Sequence, residues 1–165
     1  MPFDYYRKLS PAAQRIYRQS DRLESVALPR PEELSDCVAR AREALEEDER
    51  SLLHSACQEL VDRINRQLEA PPATVRVLAK RPSRTWGELH GLYEPPEDGR
   101  PARLTVWMRT AQRRQVVAFK TFLRTLFHEL CHHLDYEHFG LADSFHTEGF
   151  FKRESSLFRQ ATSPR

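Results

Sequence analysis

Apolar residues recur along this chain with two different periods, and the changes of period mark off its elements. From Glu32 to Leu68 there is neither Gly nor Pro, and apolar residues fall at Leu34, Val38, Ala41 and Leu45, then at Leu53, Cys57, Leu60, Ile64 and Leu68. Steps of three and four place each set on one helical stripe. The polar block Glu46 to Arg50 separates the stripes, so two helices or one kinked helix fit equally, and Ala70-Pro71-Pro72 stops the run. Ahead of this stretch, Ser10 as cap and Pro11 in the first turn predict a short helix to about Leu23, ended before Pro29 and Pro31.

The period then shortens. Thr74 to Leu78 alternates β-branched and basic residues as a half-exposed strand does, and Glu88 to Tyr93 and Arg103 to Met108 are two further strand candidates. The turn-rich segment Glu94 to Pro101 predicts that the last two form a hairpin, with His90 an ordinary strand histidine. A helical period returns from Val116 to about His138, with Gly140 placed to end it. A last helix is expected from near Ser144 to about Arg159. Helices, a small sheet, then two helices make an α+β domain, organised as an N-terminal helical extension (1–30) and a single domain (31–165).

Composition narrows the class. With 30% charged and 39% hydrophobic residues over 165 positions, the chain can bury one real core. Its longest apolar runs are too short to span a bilayer. MPFDYYRKLSPAAQR lacks the apolar stretch and cleavage site of a secretory signal, so a cytoplasmic protein is the expectation. Cys37, Cys57 and Cys131 contain no Cys-x-x-Cys pair and read as buried, reduced residues. The net charge of +2 is segregated: residues 32–69 carry 5 basic and 11 acidic side chains, residues 76–124 carry 11 basic and 4 acidic. Nucleic acid is therefore a candidate partner through 76–124, the plainer alternative being an acidic helix beside a basic sheet.

The chemistry concentrates in TLFHELCHHLDYEHFGLADSFHTEGFF, Thr125 to Phe151, where five of the seven histidines lie. Residues four apart on a helix are separated by about 40° around its axis, so His128 and His132 can point at one ion. Glu129, turned about 100° from His128, can reach a water without becoming a ligand. This is the H-E-x-x-H arrangement of zinc peptidases, and chance would supply roughly 0.03 such matches in a chain of this composition. The helix also has the required two faces. Phe119, Phe122, Leu123, Leu126, Leu130 and Leu134 lie on one side, and Thr121, Thr125, His128, His132 and Asp135 lie opposite.

Three protein ligands and an open position make a catalytic zinc site, so a third ligand is needed. His133 points about 100° away from His132, and His138 lies too far along the helix. His146, beyond the break at Gly140, is the candidate, with Glu148 and Glu154 as rivals and Asp143 a weaker one. Arg153, Tyr136 and Tyr93 are available as a second electrophile, and Asp135 as an acceptor for a ligand imidazole or as one half of a surface ion pair.

HELCHHLDYEHFG, followed by His146 and the aromatic Phe150, resembles the SprT-like zincin metallopeptidase family over roughly Leu126 to Phe151. The resemblance implies a zincin-like fold with N-terminal helices, a three-stranded sheet with a hairpin, an active-site helix and a C-terminal helix. It also implies Zn2+ held by His128, His132 and His146, Glu129 as general base, and a protein or peptide substrate. Two features depart from the family pattern: Thr147 stands where a Gly follows the third His, and no zinc ribbon is present. A minimal gluzincin using Glu148 or Glu154 is the runner-up. A non-catalytic zinc-binding protein and a DNA-associated protein are the alternatives from other classes, and the presence of Glu129 argues against the first.

Overall fold

Two left-handed residues divide the helical half of the chain. The computed structural model describes residues 1–80, 83–84, 87–88, 91–109 and 117–163. Helix α2 (Ser35–Glu46) stops where Asp48 adopts φ 59°, with Asp48 N–H donating to Leu45 O (3.2 Å) and Glu49 N–H to Ala44 O (2.8 Å). Helix α3 (Arg50–Gln67) stops the same way at Glu69, φ 55°, with Ala70 N–H donating to Asn65 O (2.8 Å). Both are Schellman closures, which satisfy the last carbonyls of each helix. The polar block after the first stripe is thus a break between two helices rather than a kink.

Ser10 caps helix α1 (Pro11–Arg22) by accepting from Ala13 N–H at 3.1 Å, as its sequence predicts. Strand β1 (Ala73–Lys80) runs parallel to β5 (Ala102–Arg109), and β4 (Gly91–Glu94) pairs antiparallel with β5 through Leu92 opposite Thr105. The order is therefore β1-β5-β4, with β4 at the edge and the expected hairpin joining it to β5. Short strands β2 (Ser83–Arg84) and β3 (Gly87–Glu88) form a separate ladder. His90 and Val116 lie outside the described residues.

Helix α3 packs on β1, and helix α4 (Phe119–Glu137) on β5 and β4. Leu60 and Ile64 from α3, Val75 and Leu104 from the sheet, and Leu123, Leu126 and Leu130 from α4 are all completely buried between them. The three cysteines are buried and unpaired in the same interior. Gly140, φ 67°, ends the α4 region, and Leu141 N–H donates to Asp135 O at 2.8 Å. The last helix, α5 (Glu148–Thr162), begins later than its sequence suggests. Thr147 rather than Ser144 is the cap, its Oγ1 accepting from Phe150 N–H at 2.9 Å, so residues 141–147 remain a loop that folds back over α4. The fold is α+β, five α-helices with a small mixed sheet among the described residues. No described helix is long and apolar enough to cross a membrane.

Candidate metal centre

Helix α4 presents His128 and His132 one turn apart, and the 141–147 loop brings His146 up to both. His146 Nε2 lies 3.1 Å from His128 Nε2 and 3.0 Å from His132 Nε2. The three ring nitrogens form a cluster within 4.8 Å, rimmed by the exposed His146 and two half-buried imidazoles. Tetrahedral bonds of about 2.0–2.1 Å would set ligand nitrogens about 3.3 Å apart. The two distances to His146 come close to that spacing, and His128 and His132 lie within 4.8 Å of each other.

The hydrogen bonds on the far side of the rings decide what the near side offers. Ser144 Oγ donates its one proton to Asp135 Oδ2 (2.7 Å), so its lone pair accepts Nδ1–H of His132 (2.7 Å). Nδ1–H of His128 donates to Glu154 Oε1 at 2.8 Å. In the tautomer with both Nδ1 atoms protonated, the Nε2 atoms of His128 and His132 present lone pairs toward His146. One proton on His146 Nε2 can satisfy only one of them. A cation between the rings satisfies all three, and Ser144 and Glu154 behind the rings are acceptors of the kind that orient metal-bound imidazoles and raise their basicity. Burial, reinforced by the neighbouring His128 and His146, pushes the His132 imidazole down to about 3, and burial lowers His146 as well.

Phe150 floors the cluster. Its ring is completely buried, with centroids 4.8 Å from His132, 4.9 Å from His128 and 5.1 Å from His146. Phe151, half exposed, stands beside His146 at 5.8 Å. The hydrophobic side of the site is thus supplied by the first turn of α5, directly after the loop that carries His146.

Glu129 lies under the sheet edge, beside Gly91. It is 7% exposed, and burial pushes its carboxyl up to about 7, with His128 lowering it and Glu154 raising it. A side chain at Gly91 would place a Cβ 2.9 Å from Glu129 Cγ and 2.9 Å from Thr125 Cγ2. Only glycine lets the backbone of β4 pass this closely over the helix. An isolated glycine inside a strand pattern is the signal that could have found it.

The remaining candidates separate cleanly. Glu154 holds His128 from behind, and Glu148 lies near the N-terminal ammonium at 3.8 Å. His133 is buried and its Nε2–H donates to Pro71 O at 2.8 Å, while the His138 Nδ1–H donates to Leu68 O at 3.2 Å; both tie α4 to the α3–β1 connection. Asp143 accepts from the Tyr136 hydroxyl at 3.0 Å. The Tyr93 hydroxyl lies 3.4 Å from His133 Nδ1, and its ring stacks toward His132 at 6.3 Å. Arg153 is not available to a substrate. It is completely buried, donating to Ser20 O and Leu23 O (2.6 Å each) and to Asp135 Oδ1 (3.0 Å). Asp135 is likewise no surface ion pair, because both partners are 0% exposed. Part of the basic charge of residues 76–124 is used internally: Arg103 pairs with Glu94 at 2.8 Å, Arg109 with Asp48, and Arg124 lies 4.1 Å over the Phe158 ring.

Comparison of the chain with protein-family models, with curated proteins and with solved structures gives no match.

Proposed function

We propose that this protein is a zinc-dependent peptidase of the SprT-like, zincin type. The observation that carries the reading is the approach of His146 Nε2 to the Nε2 atoms of His128 (3.1 Å) and His132 (3.0 Å), all three within 4.8 Å of one another, with the opposite nitrogens of His128 and His132 engaged by Glu154 and Ser144. Three imidazoles, rather than two and a carboxylate, favour this over the gluzincin arrangement, since Glu154 contacts a ligand instead of joining the cluster.

His128, His132 and His146 would hold the ion. When bound, zinc in such a site polarises a carbonyl and lowers the pKa of water from about 15.7 to about 7. The protein's own groups divide the rest of the work. Glu129 accepts the proton of the attacking water and returns it to the leaving nitrogen, and its carboxyl at about 7 suits both directions of transfer. Strand β4, which among the described residues pairs with β5 on one side only, offers the backbone donors and acceptors of an edge to an extended peptide. Gly91 lets that edge lie against Glu129. Phe150 excludes water beneath the imidazoles.

The decisive experiment measures metal content and cleavage of an unfolded protein substrate in parallel. About one zinc per chain is expected, strongly reduced in His128→Ala, His132→Ala and His146→Ala. Glu129→Gln retains the metal and loses cleavage. Cleavage that survives Glu129→Gln would remove the peptidase mechanism, and full metal content in the histidine variants would remove the site.

A further inference from the structure

The loop that carries His146 is held from the opposite end of the chain. The Tyr5 hydroxyl donates to the backbone carbonyl of His146 at 2.7 Å, across 141 residues of sequence. The Tyr5 ring packs edge-on against buried Tyr17, centroids 5.5 Å apart, and the Tyr17 hydroxyl accepts from Phe3 N–H at 2.9 Å. One residue beyond His146, Thr147 Oγ1 lies 3.1 Å from Ser20 Oγ, and both residues are completely buried. Two residues further, Gly149 N–H donates to Asp21 at 3.0 Å. A Cβ on Gly149 would come within 2.5 Å of Ser20 O, so the close fit of α5 against the end of α1 requires that glycine.

The same end of α1 reaches the second ligand by a longer route. Arg153 binds Ser20 Oγ (2.9 Å) and Asp135 Oδ1 (3.0 Å), and Asp135 holds Ser144, which accepts from His132. Ser20 therefore stands at the junction of two chains of contact, one ending on the His146 segment and the other on the His132 ring.

We propose that the first 23 residues are part of the metal centre, with Tyr5 and Ser20 as positioning residues that set the placement of His146. The proposal rests on the three-histidine reading above. His146 is the exposed ligand on a loop, whereas His128 and His132 are fixed by helix α4, so the ligand most in need of outside support is the one the N-terminal segment grips. The sequence reading places these residues in an extension outside the domain; their contacts run directly to the site.

Tyr5→Phe tests this with little risk to the fold, because it keeps the ring on Tyr17 and removes the hydroxyl that donates to His146 O. Zinc affinity is measured by chelator competition, alone and in a His146→Ala background, with the absorption bands of the cobalt-loaded protein as a spectroscopic check on ligand geometry. Tyr5→Phe is expected to weaken zinc binding about 3- to 10-fold, in line with the loss of one neutral hydrogen bond, and to shift the cobalt bands. In the His146→Ala background it should have no further effect, since the ligand it positions is gone. Ser20→Ala should weaken binding more, because it touches both routes. An unchanged affinity in Tyr5→Phe, or an equal loss in both backgrounds, overturns the proposal while leaving the three-histidine site standing. His146→Ala binding zinc as tightly as wild type would remove the site itself, and the proposal with it.

Discussion

Glu154 accepts the Nδ1–H of His128 at 2.8 Å from the facing side of helix α5, although its place in the sequence equally suits a metal ligand. A carboxylate behind an imidazole fixes the tautomer and raises the basicity of the ring without entering the coordination sphere. The two roles differ in what substitution does. Glu154→Gln keeps an acceptor and should weaken zinc binding modestly, while Glu154→Ala should weaken it about 10- to 100-fold and leave one zinc per chain at saturation. Chelator competition reads the difference; a loss of stoichiometry as complete as in His128→Ala would make Glu154 the third ligand.

Much of this site is legible in the residues because a helix fixes angles. His128 and His132 share a face for the same reason that Leu126, Leu130 and Leu134 do, and the two stripes of α2 and α3 had to bury one continuous core. Gly140 and Ser10 act where their backbone chemistry predicts. What is not legible depends on contacts between distant segments. Ser144 reads as a helix start, yet Thr147 provides the cap, and the freed Ser144 becomes the link between Asp135 and His132. Arg153 reads as one of three available electrophiles, but Ser20, Leu23 and Asp135 enclose it. Nothing in the local pattern of residues 1–23 signals that Tyr5 meets His146, since that contact exists only once α1 packs on α5.

The enclosed Arg153–Asp135 pair should be costly to break from one side. Both side chains are 0% exposed, so Arg153→Met leaves a buried carboxylate with Ser144 as its remaining partner. Loss of one member of such a pair typically costs about 3–5 kcal/mol. Denaturant unfolding of the metal-free protein should show that loss for Arg153→Met and a clearly smaller one for Arg153→Met combined with Asp135→Asn, which removes the stranded charge. Equal losses in the single and double variants would mean that Arg153 acts by packing alone.

Helices α2 and α3 are clasped by a charge cluster whose contribution depends on pH. Arg63 donates to Asp36 (2.7 Å) and to Glu59, and Arg40 donates to Glu59 (2.7 Å). The Arg63 guanidinium holds Asp36 below the usual carboxylate range, and Arg40, then Arg63, does the same for Glu59. A carboxyl depressed in the folded state takes up its proton more readily when unfolded, so its contribution is present above the unfolded pKa of about 4 and disappears as pH falls through the lower folded value. Asp36→Asn combined with Glu59→Gln should therefore lower the melting temperature at pH 7 and by less at pH 3. Because Asp36 is 61% exposed, the effect should be small, about 0.2–1 kcal/mol per pair, and should shrink in high salt. A gap between wild type and variant that widens as the pH drops would show that the clasp does not act through these charges.

Gly91 separates what β4 does for the fold from what it does for the reaction. Its backbone is not in the left-handed region, so alanine there meets no dihedral penalty, only the 2.9 Å approaches to Glu129 Cγ and Thr125 Cγ2. Relief requires the strand to rise from α4 or the Glu129 side chain to swing aside, and overpacking of this kind costs about 1–3 kcal/mol. The His128 and His132 rings keep their contacts to Glu154 and Ser144, and the His146 backbone keeps its contact to Tyr5. Gly91→Ala should thus bind zinc with near wild-type affinity while peptide cleavage falls by an order of magnitude or more, since both the base and the edge that would hold the substrate are displaced. Parallel assays of zinc affinity and peptide hydrolysis test the separation. Wild-type turnover in Gly91→Ala would mean that β4 can move off Glu129 without consequence, and that the edge strand is not where the peptide lies.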